Sequence, residues 1–389
     1  MDVDNLTETM NAAHLHDVHD GRGVLPFCPP TNASRMLKAL NNIPTFLFRV
    51  ASPYFDGETN ETWVRSESSK RGNTSSLEDI FHGLNDTKRR IVAQTLNKHL
   101  RWWPKEDLED NFISWTSSLL FALQYINYLH LSSNYTPNLE ETNLYVVDTT
   151  LFPGGTFARD LDLIQEFELF DNHPPVTDLR RLSELRTHPS YYFGEYLSQG
   201  RMEMADRCQV ISATLLMNDG RVSQIQPQFK DIATLRRMNE KPGWPTEVQR
   251  LRRVVWSSCK LPRLTAQESI SRISAVKEII KDLGSEWKLP LAMYFMALIG
   301  PDLEIEDQET TADNSFFEYL DRATPPSENL EEKRKDLSMF KLSAPGTMPE
   351  LKRVEVLIHQ VQKYIRLKKE LDRFYRRSRG NSSKFTYQI

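Results

Sequence analysis

Asn111-Phe112-Ile113-Ser114-Trp115-Thr116-Ser117-Ser118 is the stretch whose reading decides the fold. Bulky β-prone residues alternate with hydroxyls, so a strand here puts Ser114 and Thr116 on one face. Leu119 to Leu131 follows, with Leu120, Phe121, Leu123, Tyr125, Ile126 and Leu129 marking a largely buried helix. Ser117 or Ser118 is placed to cap that helix, since a serine hydroxyl accepts from the free N–H groups of a first turn.

Working outward, Thr45 to Val50 reads as a strand between Pro44 and Ser52-Pro53, and Leu144 to Val147 as a short, fully buried one. Tyr191 to Gly200 is an aromatic strand or strand-turn holding Glu195, and Cys208 to Met217 is the strongest β-run. Helical spacing spans Leu77 to Trp103, closed by Pro104, and recurs in Leu161 to Phe170, while Asp178 to Arg186 reads as a charged connector with Leu179, Leu182 and Leu185 at i, i+3, i+6. The expected fold class is α+β over residues 41–220, after a flexible tail at 1–40. A helical and loop extension at 221–348 follows, then a basic amphipathic helix at 349–379 and a tail at 380–389.

Composition narrows the function classes. The 389 residues are 26% charged and 39% hydrophobic with a net charge of -4, so no global field favours nucleic acid or an acidic membrane surface. Cys28, Cys208 and Cys259 are far apart and odd in number, which argues against a disulfide framework and a structural zinc. His14, His16 and His19 lie in a polar segment that reads as a flexible tail rather than a metal site, although His14 and His16 alternate. The acidic start Met1-Asp2-Val3-Asp4 lacks an apolar core, and no run reaches the ~20 apolar residues of a membrane helix. The expectation is an intracellular protein, cytoplasmic or nuclear, without a signal peptide or membrane span.

Three polar groups stand beside short apolar runs. Arg49 ends Phe46-Leu47-Phe48, and its planar fork of donors matches phosphate oxygens; a surface ion pair is the plainer use. The hydroxyls of Ser114 and Thr116 suit a carboxylate or a sugar hydroxyl, or a helix cap. Glu195 lies among Tyr191, Tyr192, Phe193 and Tyr196, and a carboxylate desolvated there needs a partner or a purpose. The solvent face of an edge strand is the alternative.

Taken in order, Leu47-Phe48-Arg49, Phe112-Ile113-Ser114-Trp115-Thr116 and Phe193-Gly194-Glu195 resemble the three motifs of the arginine–serine–glutamate class of ADP-ribosyltransferases. Those motifs are a strand ending in arginine, an apolar pair before Ser-Thr-Ser, and Glu-x-Glu or Gln-x-Glu. The chain also resembles an uncharacterised fungal domain family over about residues 44–217, through Phe-Arg-Val, Ser-Trp-Thr-Ser-Ser, Val-Asp-Thr-Thr and Gly-Glu-Tyr-Leu-Ser-Gln-Gly. The resemblance implies a split, mainly antiparallel sheet with flanking helices and NAD as substrate. It puts Arg49 on the NAD phosphates or ribose. Ser114 would orient Glu195, which stabilises an oxocarbenium-like centre by charge. Thr116 and Phe193 would border the same pocket. Phe193 replaces the upstream carboxylate or amide that usually engages the acceptor. What remains is transfer to an unknown acceptor, NAD hydrolysis, or a non-enzymatic interaction module on the same fold.

The C-terminal helix has an apolar stripe of Leu351, Val354, Leu357, Ile358, Val361 and Ile365, with an excess of Lys and Arg. Docking on its own protein, binding a protein partner or forming a coiled coil through 349–379, and contacting nucleic acid or an acidic surface are its three readings, of which the first is the base expectation.

Overall fold

A computed structural model describes residues 23–104, 109–131, 138–231, 243–257, 264–301, 311–323, 340–342 and 348–382. His14, His16, His19, Cys259, most of the acidic loop after Asp302 and the tail beyond Ser382 lie outside these. The chain divides into two compact units, one built on residues 1–220 with 230–250 and 341–348, the other on 221–229, 251–340 and 349–389.

The first unit is α+β. Its described strands are β1 (Phe46–Ala51), β2 (Glu58–Thr59), β3 (Trp63–Arg65), β4 (Phe112–Thr116), β5 (Asn143–Asp148), β6 (Ala158–Arg159), β7 (Glu195–Gln199), β8 (Arg201–Glu203) and β9 (Cys208–Ser212). Its main helices are α1 (Ser34–Leu40), α2 (Asp86–Arg101), α3 (Leu119–Leu131), α4 (Asp160–Phe167) and α5 (Leu179–Thr187). A six-stranded sheet runs β6-β7-β4-β1-β5-β9 and a three-stranded one β2-β3-β8. Every strand pair is antiparallel.

Strand alternation sorts the core into two layers. Leu47, Ala51, Ile113, Trp115, Tyr145, Val147 and Tyr196 pack on one face. Phe112 and Leu197 join Leu96, Leu100, Leu163, Ile164 and Phe167 on the other. The sheet is unevenly zipped. β1 is registered against β5 from Phe46↔Asp148 to Ala51↔Asn143, but against β4 only at Phe48↔Thr116. The two central strands part beyond that pair.

Several boundaries differ from the sequence expectation. Residues 23–40 are packed rather than a loose tail: Leu25 bridges Gln199, Phe27 is buried edge-on to Phe81, and Met36 and Leu40 of α1 are buried. α2 begins only at Asp86, where the Asn85 side chain accepts from the Lys88 N–H. The β-run from Cys208 stops at Ser212, whose hydroxyl accepts from Thr214 N–H and turns the chain. Segment 341–348 is drawn into the first unit by Thr45 N–H donating to Lys341 O (3.0 Å) and Lys341 N–H to Thr45 Oγ1 (2.8 Å).

The second unit is helical in its described residues, with α6 (Ala266–Ile280), α7 (Ser285–Ala297), α8 (Ala312–Ala323) and α9 (Pro349–Ser382). Thr265 and Glu268 close a capping box at the start of α6. Leu351, Val354, Leu357, Ile358, Val361 and Ile365 of α9 are buried, so this half of the basic helix docks within its own unit. Buried arginines anchor it: Arg252 bonds Glu350, and Arg353 bonds Asp313 and the Gly300 carbonyl. Farther along, Leu367 and Leu371 are exposed.

Candidate functional site

A cavity of about 540 Å³ opens in the first unit where β1 and β4 part. Arg49, Ser114, Thr116, Phe193 and Glu195 all line it, with His99, Trp102, Asp110, Phe121, Tyr125 and Arg186. The register shows how residues far apart in sequence meet. Thr116 pairs with both Phe48 and Glu195, so Ser114, Thr116 and Glu195 share one face. Arg49 pairs with Tyr145 on the opposite face. It reaches the same cavity only because the sheet is split beside it.

Arg49 donates from Nε to Thr59 Oγ1 (3.0 Å) and from Nη1 to the Ser114 carbonyl (2.8 Å). Its guanidinium lies 5.9 Å from the Trp115 ring centre. Among the described residues no carboxylate pairs with it, and its remaining N–H groups are unspent. Burial lowers Arg49 to about 10, opposed weakly by Tyr125 and Tyr145. A desolvated cation with unused donors has the chemistry to accept an anionic group.

Ser114 sits mid-strand on β4, half-buried. Its hydroxyl donates to Glu195 Oε1 at 2.8 Å and lies 2.8 Å from His99 Nε2. His99 Nδ1 is 2.7 Å from Asp110 Oδ2. The other oxygen of Glu195 meets Arg186 Nη1 at 2.5 Å, and the same nitrogen bonds Asp160. Burial pushes Asp160 up to about 6 despite the pull of Arg186, while Glu195 and Asp160 raise Arg186. Glu195 is thus fixed at both oxygens.

Thr116 borders the cavity, but its hydroxyl is occupied: it donates to the Phe193 carbonyl (2.8 Å) and accepts from Ser118 N–H (3.0 Å). Ser118 caps α3, accepting from Phe121 N–H. Phe193 lies outside β7. Gly194 between it and Glu195 has φ +67°, and a Cβ there would collide with Ser117 Oγ, so strand alternation does not relate Phe193 to Glu195. Phe193 still walls the cavity, its ring 5.2 Å from that of Phe121.

Trp102 stands at the end of α2 with φ 58° and ψ 33°, a left-handed conformation usually given to glycine. Its side chain is 46% exposed and its ring lies 5.1 Å from that of Tyr125. Holding a tryptophan in this region costs about 1–2 kcal/mol, and the result is an accessible indole at the cavity wall.

His99, Asp110, Trp102 and Arg186 were missed by motif reasoning. A signal for the first existed: Asn97 and His99 interrupt the apolar run of Val92, Ala93, Leu96 and Leu100 in α2, and buried polar side chains need partners. Nothing local marks Arg186.

Residues 42–201 match the model of a domain of unknown function (DUF7587). No curated protein matches the chain, and no solved structure does. Among the described residues no helix is long and apolar enough to cross a membrane.

Proposed function

We propose that the first unit is an ADP-ribosyltransferase-like domain whose substrate is NAD. The observation that carries this reading is Arg49, a desolvated guanidinium with unspent donors facing a cavity that also holds an oriented glutamate. Arg49 would grip the diphosphate, and the exposed face of Trp102 suits a stacked ring. The cavity lies within the ~300–1,000 Å³ usual for small-ligand sites.

Glu195 would act at the nicotinamide ribose. The glycosidic C–N bond breaks, its electron pair leaves with nicotinamide, and the carboxylate offsets the positive charge left on the ribosyl carbon. Water or another nucleophile then bonds to that carbon and releases its proton to solvent. Phe193 offers no polar group to an acceptor, which favours water over a protein side chain. The exposed end of α9 is a candidate contact for a protein partner.

One observation favours a non-enzymatic module. Arg186 already neutralises one oxygen of Glu195, which weakens its reach toward a cationic carbon. Titrating the full chain with NAD while following nicotinamide release separates the readings. Binding with release supports the enzyme, binding alone supports the module, and no binding refutes the nucleotide site.

A further inference from the structure

Hydrogen-bond bookkeeping around Ser114 carries one more step, which rests on the reading of Glu195 given above. A serine hydroxyl has one proton and can donate only once. Ser114 Oγ has two neighbours at 2.8 Å, Glu195 Oε1 and His99 Nε2. Glu195 accepts at both oxygens, from Ser114 Oγ at Oε1 and from Arg186 Nη1 at Oε2. The Ser114 proton therefore goes to Glu195, and Ser114 Oγ must accept from a hydrogen on His99 Nε2. The other ring nitrogen faces a buried carboxylate oxygen of Asp110 at 2.7 Å, which requires a hydrogen on Nδ1 too. Asp110 is itself fixed, its second oxygen accepting from Phe112 N–H at 3.0 Å. The ring of His99 packs 5.6 Å from that of Phe112, and His99 lies in the last turn of α2.

We propose that Asp110 and His99 are a positioning pair: His99, carrying hydrogen on both ring nitrogens, locks the Ser114 hydroxyl so that its single proton points at Glu195. The spacing of Asp110, His99 and Ser114 also fits a nucleophile relay. The direction of the Ser114 hydrogen bond separates the two. In a relay the hydroxyl donates to the imidazole; in a positioning pair it accepts from it. The pair performs no chemistry, and its work is to hold one carboxylate oxygen at a fixed point on the cavity wall.

Two variants of the full chain test this. Asparagine places its amide where Nδ1 stood and loses the contact to Ser114; glutamine places its amide near Nε2 and keeps it. His99→Asn should lower nicotinamide release by about 10²-fold, the scale of a misplaced reacting group. NAD affinity, read by tryptophan fluorescence, should be unchanged because Arg49 is untouched. His99→Gln should recover roughly fivefold to tenfold of the loss, the worth of one hydrogen bond. Full activity in His99→Asn, or no difference between the two variants, would overturn the proposal.

A second readout needs no NAD. Imidazole ¹⁵N–¹H spectra, assigned by the signals lost in His99→Asn, should show hydrogen on both ring nitrogens. A bare Nε2 would overturn the proposal, and so would covalent labelling of Ser114 by a fluorophosphonate. A wild type that releases no nicotinamide refutes the role of Glu195, whereas the spectrum judges the hydrogen-bond arrangement independently.

Discussion

Arg49→Met isolates the charge at the mouth of the split sheet, because methionine keeps much of the arginine stem and none of its donors. Burial takes Arg49 down to about 10, a fall of about 2.5 pH units, which at 1.36 kcal/mol per unit is roughly 3 kcal/mol. A cation whose value falls on folding opposes folding wherever it is charged in both states. The penalty is therefore present at neutral pH. Against it stand two hydrogen bonds, to Thr59 and to the Ser114 carbonyl, together worth about 2 kcal/mol. The difference leaves the ligand-free variant about 1 kcal/mol more stable than the wild type, or about 2–4 °C in Tm for a unit of this size. Saturating NAD should raise the wild-type melting temperature, by about 2.7 kcal/mol of stability at a hundred times Kd, and leave the variant unmoved. Differential scanning calorimetry with and without NAD reads both effects. A variant that melts several degrees lower, or still responds to NAD, would show that the arginine serves the fold.

Glu195→Gln should cut nicotinamide release by roughly 10²–10³-fold and lower the melting temperature, since an amide oxygen that accepts from Ser114 leaves the NH2 facing Arg186; equal release by both proteins would refute the charge role. Trp102→Gly and Trp102→Ala should weaken NAD binding alike, but the glycine variant should be about 1 kcal/mol more stable than the alanine one, because it alone relieves the left-handed backbone; chemical denaturation compares them. Arg353→Met should destabilise the helical unit by about 3–5 kcal/mol, because it strips buried Asp313 of its guanidinium partner, while leaving NAD binding untouched.

The central strands were legible because their evidence is local: Phe46–Ala51, Phe112–Thr116 and Asn143–Asp148 alternate or run apolar between clear punctuation. The α+β class with an antiparallel sheet came from the resemblance, because strands interleaved with helices do not fix the direction of pairing. Arg49, Ser114 and Glu195 were readable through their order along the chain, and they do line one cavity. The opposite-face position of Arg49 was not readable, since it depends on which strand lies beside β1 and on where the ladder stops. Arg186 acts across the fold from the end of α5, and no spacing rule joins it to Glu195. Trp102 escaped because a left-handed tryptophan breaks the usual residue preference, and Gly194 because a single glycine in an aromatic run does not announce its φ. Residues 23–40 looked like a polar tail, yet Phe27 and Met36 are enough to pin them.

The single registered pair between β1 and β4 makes the central sheet a fork. Each strand stays laddered along its outer side, β1 to β5 and β4 to β7, and the tines are the facing edges of β1 and β4 beside the cavity. Amides in these outer ladders should exchange slowly, and those facing the gap faster. A molecule seated there would bridge the tines and damp their motion, so occupancy would be written in the stiffness of the backbone as much as in any side-chain contact.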